Sequence, residues 1–219
     1  MLTLIATPIG RTDEITLRSL ELLRNADVVV CESTKETSKL LKVHEIKAKK
    51  YEVLDEHSTA DDVSSMLEFC KNQNVVLVSD CGTPSFCDPG FQLVEACRKA
   101  NVKVQSSLGA SSLMGLISLS SERINQFHFR GFIPAENVAR EKEWQQLKKS
   151  TEPFVLMDTP YRLKKMLDEC CLHLPDRKML LTLNLSQDDE TILEGKPSQV
   201  QQHLKFDKAE FMILIYAKK

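Results

Sequence analysis

Residues Val75 to Phe91 read VVLVSDCGTPSFCDPGF, and the fold turns on this stretch. Val75 to Val78 is a short apolar run bounded by turn formers, the pattern of a strand buried on both faces of a parallel sheet. Ser79, Asp80, Gly82, Pro84, Asp88, Pro89 and Gly90 follow closely. Turn residues at that density predict an irregular loop, with a helix resuming near Phe91. Ligands of open α/β sheets sit beyond the carboxyl ends of the strands, so the loop reads as a ligand cradle. The bland alternative is an ordinary strand-to-helix link, although such links usually take about 2–6 residues.

Strands and helices alternate on both sides of it. Upstream, Leu2 to Ala6 is an apolar strand turned by Thr7-Pro8-Ile9-Gly10. A helix from Asp13 to Arg24 follows, with Ile15, Leu17, Leu20, Leu22 and Leu23 on one side and Thr12 or Asp13 as its cap. Asp27 to Cys31 is a β-branched strand, Thr34 to Val43 a helix, Lys49 to Leu54 a weaker strand, Asp55 to Thr59 a polar loop and Ala60 to Asn72 a helix. Downstream come helix Phe91 to Ala100 and strand Val102 to Gln105. Such an alternation packs most readily as a parallel sheet with helices on both faces. The first strand is followed by ATPIGRTDE rather than GxGxxG, and there is no GxxxxGK[ST] run. Neither a Rossmann pyrophosphate site nor a phosphate loop is supported.

Ser106 to Ser121, SSLGASSLMGLISLSS, is a serine- and glycine-rich passage where one domain hands over to the next, giving expected domains of 1–110 and 111–219. It reads as a loop over Ser107 to Ala110 opening an apolar helix. Two uses remain open: Ser111 and Ser112 offer hydroxyls to a polar ligand, or the helix is a buried small-residue element packed on the sheet. Beyond it the alternation restarts with strand FHFRGF, the helix Asn137 to Lys149 carrying Trp144, strand Phe154 to Met157 stopped by Asp158-Thr159-Pro160, helix Tyr161 to Leu172 and strand Lys178 to Leu185. Thr191 to Glu194, a helix from Pro197 and strand Glu210 to Tyr216 complete it.

The 29 basic and 31 acidic residues are well mixed and leave a net charge of -2. This argues against a chain that grips nucleic acid by bulk electrostatics, while a local basic patch stays open. No apolar run approaches the roughly 20 residues of a membrane span, and MLTLIATPIG has no basic n-region or small-residue cleavage site, so a cytoplasmic protein without membrane attachment is expected. The seven cysteines form no secreted framework and no CxxC pair, so no metal is expected. Cys170-Cys171 in a helix reads as small buried hydrophobes.

ATPIG, ITLRSLELLRNADVVVCEST, VSDCGTPSFCDPGF, the Gly-Ala-Ser-Ser loop, FRGFIP and MDTPYRL occur in that order. Together they resemble the tetrapyrrole-methylase-like, class III S-adenosylmethionine methyltransferases. Within that superfamily they are most similar to the ribosomal RNA small subunit methyltransferase I branch, which methylates a cytidine 2′-hydroxyl of 16S rRNA. The resemblance implies two αβα domains with mostly parallel sheets, the methyl donor in the cleft between them, and a homodimer. It implies donor contacts at Pro8, Asp80, Gly82, Thr83, the Phe86 backbone, Ser111, Ser112, Met157 and Leu185. The implied function is S-adenosylmethionine-dependent methylation of ribose in small-subunit rRNA. A tetrapyrrole or other small-molecule acceptor, or a degenerate donor-binding protein, is the alternative. Departures from the family pattern fall on polar positions: TPIGR for TPIGN, Glu32-Ser33-Thr34-Lys35 for EDTR, and Met157-Asp158-Thr159-Pro160-Tyr161-Arg162 for YESPHR.

A ribose hydroxyl is a poor nucleophile at neutral pH and benefits from a base. Candidates are Glu32, His57, Asp88 and Asp158. Each has an ordinary reading too: His57 as a surface-loop histidine, Glu32 as part of a helix cap. Arg11, Lys35, Lys39 and Lys42 could rim an RNA site, or the three lysines could be one solvated helix face.

Overall fold

Leu2–Ile5 (β1), Val28–Cys31 (β2), Tyr51–Val53 (β3), Val75–Val78 (β4) and Val104–Ser107 (β5) pair in the order β3-β2-β4-β1-β5 in the computed structural model, which describes residues 1–218. Every pairing is parallel, with Leu4 opposite Leu77 and Val30 opposite Leu77 on the other side of β4. The four residues of β4 are all buried because alternate side chains feed two cores. Val75 and Leu77 join Leu2, Val28, Val30, Met66 and Leu93 on the face covered by α3 (Ala60–Asn72) and α4 (Phe91–Lys99). Val76 and Val78 join Ile5, Val29, Leu23 and Leu41 under α1 (Leu17–Asn25) and α2 (Thr34–Val43). Burying each such side chain contributes about 1.5–3 kcal/mol before entropy is counted.

The expected helix at Asp13 starts later. Thr12–Glu14 is a single 3-10 turn, Ile15 is extended, and Thr16 caps α1 by accepting from Ser19 N at 3.1 Å. Ser33 caps α2 and Thr59 forms a reciprocal capping box with Asp62 on α3. The strand expected over Val102 to Gln105 runs instead over Val104–Ser107, which removes Ser107 from the loop. Its hydroxyl lies buried, 3.0 Å from Ser19 Oγ.

The chain divides into two units, Met1–Ser111 and the residues from Ser112 onward. The second holds α5 (Ser112–Ser118), β6 (His128–Phe132), α6 (Asn137–Leu147), β7 (Phe154–Asp158), α7 (Leu163–His173), β8 (Met179–Leu183), β9 (Thr191–Gly195), α8 (Pro197–His203) and β10 (Phe211–Ile215). Its sheet has the order β6-β7-β10-β8-β9. Here the expectation of a mostly parallel sheet needs correction: only β6 and β7 run parallel, and the other three pairings are antiparallel. β8 reaches β9 through the short link 184–190, enough for a hairpin but too short for a crossover, and β10 inserts between β7 and β8 against both. Phe154, Leu156, Leu181 and Ile213 pack with residues of α6, α7 and α8, while Val155, Leu180, Leu214 and Tyr216 pack with Leu116 of α5. Trp144 is buried and stacks on His173 with ring centroids 5.2 Å apart. No helix among the described residues is long and apolar enough to cross a membrane.

Candidate functional site

In the first unit the strand order reverses at β1 and β4. The chain leaving β1 enters α1 on one face, and the chain leaving β4 enters α4 on the other, so their loops part at the carboxyl end of the sheet. A crevice of this kind is where open α/β sheets bind ligands. The loops are nonetheless laced together. Thr7 and Gly82 form an antiparallel bridge, with Thr7 N donating to Gly82 O at 2.9 Å and Gly82 N to Thr7 O at 3.0 Å. Thr7 Oγ1 donates to Ser79 O, and Ser79 Oγ to Cys81 O. Thr83 Oγ1 donates to Ala110 O at 3.1 Å, drawing in the loop after β5, and Ser33 N donates to Asp80 Oδ1 at 3.1 Å, drawing in the loop after β2. Gly109 lies so close to β1 that a Cβ there would stand 3.0 Å from Ala6 Cβ. Pro8, Asp80, Gly82, Thr83 and Phe86 are thus brought to one end of one sheet, and Pro8 is buried while Phe86 is 51% exposed.

The middle of this loop is held in an unusual backbone state. Gly82 (φ +76°) and Gly90 (φ +132°) use glycine's freedom, but Ser85 (φ +68°) and Cys87 (φ +65°) adopt left-handed geometry with side chains attached. Such residues persist only where surrounding structure over-determines them, and they cluster at ligand clamps. Around the loop the charge is negative. Burial raises the pKa of Glu32, with Asp80, Asp88, Glu56 and Asp55 adding to the effect; burial and then Asp80 raise that of Asp88. Asp80 is raised by burial too, against the opposing hydrogen bond from Ser33 N. Three acidic side chains with raised pKa thus stand on the loops after β2 and β4, Glu32 and Asp80 exposed and Asp88 half-buried, a grouping that functional sites share. Among the described residues no group of three or more His, Cys, Asp or Glu is placed to hold a metal ion.

The remaining candidates divide. His57 stands on the surface loop after β3, its side chain 84% exposed and 3.6 Å from Glu56, as the ordinary reading had it. In the second unit Ser112 opens α5; Leu185 lies in van der Waals range of the Cβ position of Gly115 on that helix, and Met157 packs in the cluster built around Leu116. Ser112, Leu185 and Met157 therefore gather around one short helix. Ser111 ends the first unit.

Asp158, the last base candidate, is buried at the end of β7 in the geometry of a structural anchor. Its side chain is 0% exposed, and it accepts from Thr159 N at 2.8 Å, Arg162 Nη1 at 3.3 Å and Arg140 Nη1 at 3.4 Å, so its lone pairs are committed. Arg140 had no local sequence signal. It also donates to Ile133 O, Pro134 O and, in a two-pronged grip, to both oxygens of Glu169 at 2.7 and 2.6 Å. Of the suggested basic rim, Arg11 pairs with Asp13 and Lys39 with Glu36, the behaviour of a solvated face.

The sequence profile described as Tetrapyrrole (Corrin/Porphyrin) Methylases matches residues 1–201. The chain belongs to the tetrapyrrole methylase family. This methylase is 32% identical over 220 residues to the "Ribosomal RNA small subunit methyltransferase I" of Neisseria meningitidis serogroup B, covering 98% of this chain and 75% of that protein. The protein of the same name from Borrelia garinii subsp. bavariensis is 32% identical over 220 residues, with 98% of each chain covered. Among solved structures, the uroporphyrin-III C-methyltransferase of Thermus thermophilus complexed with S-adenyl homocysteine superposes with a TM-score of 0.64 at 15% identity, covering 97% of the methylase and 96% of that chain. That last likeness is one of fold. The methylase is an α/β enzyme, a methyltransferase, with the tetrapyrrole methylase fold.

Proposed function

We propose that the methylase transfers a methyl group from S-adenosylmethionine to a ribose 2′-hydroxyl of small-subunit ribosomal RNA. The observation that carries this reading is identity of 32% along 98% of the chain to proteins named for that RNA. The donor suits the residues present. Gly82 and Gly109 put no side chain where the loops meet, and the same loops carry the Thr83 hydroxyl and the apolar Pro8 and Phe86, a mixture that suits a ligand with polar groups and an apolar ring. Pro8, Asp80, Gly82, Thr83 and the Phe86 backbone would hold it, with Ser111, Ser112, Met157 and Leu185 as further proposed contacts. When bound, S-adenosylmethionine supplies a sulfonium methyl as the electrophile.

The protein's share is alignment, exclusion of water and care of one proton. Glu32 is the base of this proposal. Burial and neighbouring carboxylates strengthen its hold on a proton, so it would take the hydroxyl proton while the methyl leaves sulfur for the ribose oxygen, with S-adenosylhomocysteine as the leaving group. Asp80, fastened to Ser33 N, keeps the β2 and β4 loops in register and so places Glu32. A homodimer in the cytoplasm completes the proposal; sedimentation should show one species of doubled mass.

The acceptor is tested by incubating the methylase with methyl-labelled donor and, separately, unmodified small ribosomal subunits, protein-free rRNA and porphyrinoid precursors. Label in one alkali-resistant linkage of the rRNA is expected, because a 2′-O-methyl removes the nucleophile of alkaline cleavage. Label on the macrocycle, or on none of them, contradicts the reading. Glu32→Gln should lose turnover while keeping donor affinity.

A further inference from the structure

The loop after β7 carries an exposed aromatic ring and neighbouring cations to which the donor gives no role. Tyr161 projects from a 3-10 turn, Pro160–Arg162, and is 79% exposed. Lys208 Nζ stands 3.8 Å from its ring centroid and covers one side. Beside it Arg162 is 37% exposed and held at Nη1 by the buried Asp158, which Arg140 anchors in turn. Lys164 pairs with Asp207 on the segment that carries Lys208. The segments 161–165 and 204–209 meet through Tyr161 with Lys208 and Lys164 with Asp207, bringing Arg162, Lys164 and Lys208 to one place beside the acids Asp158 and Asp207, in a chain whose net charge is -2.

We propose that this rim of the second unit, Tyr161 with Arg162 and Lys208, is a docking surface for single-stranded RNA, with a base stacked on the open face of Tyr161 and phosphates on the two cations. The occupant follows from the chemistry. An exposed aromatic whose other face and flanks are cationic is the combination that single-stranded nucleic acid takes, since every base has a π-face and every linkage a negative charge. Asp158 and Arg140 pre-position Arg162, so little side-chain entropy is lost when a phosphate arrives. Basic side chains here also resolve how a chain of net negative charge would grip RNA: locally, on one loop cluster, and not through its overall field. The inference rests on the RNA reading above and adds where the strand lies.

The test compares the parent enzyme with the double variant Tyr161→Ala/Lys208→Gln and with Tyr161→Phe. Binding to small ribosomal subunits and to a protein-free rRNA fragment is measured over a range of salt, together with S-adenosylhomocysteine affinity. The double variant should bind both RNAs about tenfold more weakly, with its salt dependence shallower by about one unit of slope. Tyr161→Phe should match the parent, and donor affinity should be the same in all three. Unchanged RNA affinity and slope in the double variant overturns the surface while leaving the RNA reading intact. Weakened binding to subunits with unchanged binding to the free fragment overturns it as well, because the contact would then be to a ribosomal protein. A parent enzyme that binds and methylates no RNA overturns both the surface and the reading beneath it.

Discussion

Replacing Arg140 by Leu should unfold the second unit at far lower denaturant than the parent requires. The side chain is 3% exposed and joins four places: Glu169 on α7, Asp158 at the end of β7, and the carbonyls of Ile133 and Pro134 after β6. Glu169's hydrogen bonds and charge, then Asp158's charge, hold the guanidinium in its charged form against the cost of burial. Leucine removes the cation and leaves Asp158, fully enclosed, beside Glu169 with Arg162 as its remaining cationic contact. Breaking a buried pair from one side costs about 3–5 kcal/mol. For a unit of this size, losing roughly 2 kcal/mol per molar urea, the midpoint should fall by about 1.5–2.5 M. Trp144, the single tryptophan, is buried in the same unit and reports its unfolding by fluorescence. Arg140→Lys keeps a charge but not the fork and should lose roughly half as much. A midpoint within about 0.3 M of the parent for Arg140→Leu would refute the reasoning, since the network would then be a surface pair in energetic terms.

Gly90→Ala should cost the first unit about 2–5 kcal/mol, since φ is +132° and the new Cβ would stand 2.5 Å from Ser85 Oγ and 2.8 Å from Leu77 Cδ2; far-ultraviolet circular dichroism during urea unfolding measures it. Gly109→Ala should leave the fold intact but weaken S-adenosylhomocysteine binding about fivefold, the equivalent of ~1 kcal/mol, as the loop backs away from Ala6; calorimetry reads the change. Asp88 has a pKa raised in the folded state by burial and by Asp80, so its contribution is fully present below the unfolded carboxylate pKa and is lost as pH rises through the folded value. Asp88→Asn should therefore melt above the parent at pH 7, with the gap closing toward about pH 3; a gap that widens on acidification would contradict the sign.

Much of the first unit is legible in the sequence because its strands are buried on both faces. VVLV, LTLI and VVVC each sit between turn formers, and burial from two sides leaves no polar residue to blur the period. The β4 loop is legible for the same local reason, since Gly82 and Gly90 supply two of its four positive-φ positions, while Ser85 and Cys87 take the other two with no signal in their residue type. What fails is non-local. The start of α1 is ambiguous in sequence because Thr12, Asp13 and Thr16 are all acceptable caps; in the fold Thr16 caps it while Ile15 and Leu23 pack into the core. The direction of the second sheet is invisible in FMILI, because a fully buried strand reads the same whether its neighbours run parallel or antiparallel. In sequence Asp158 reads as a base candidate in the turn Asp158-Thr159-Pro160. Its burial depends on Arg140, 18 residues upstream, and no local pattern announces that pairing.

The most direct measurement of the central claim is calorimetric titration of the methylase with S-adenosylmethionine and S-adenosylhomocysteine, in parallel with an Asp80→Ala variant whose β2 and β4 loops are no longer tied through Ser33 N. Saturable binding of both compounds at one site per chain, lost or much weakened in the variant, is the predicted result. Absence of binding by the parent, or undiminished binding by the variant, would contradict the account.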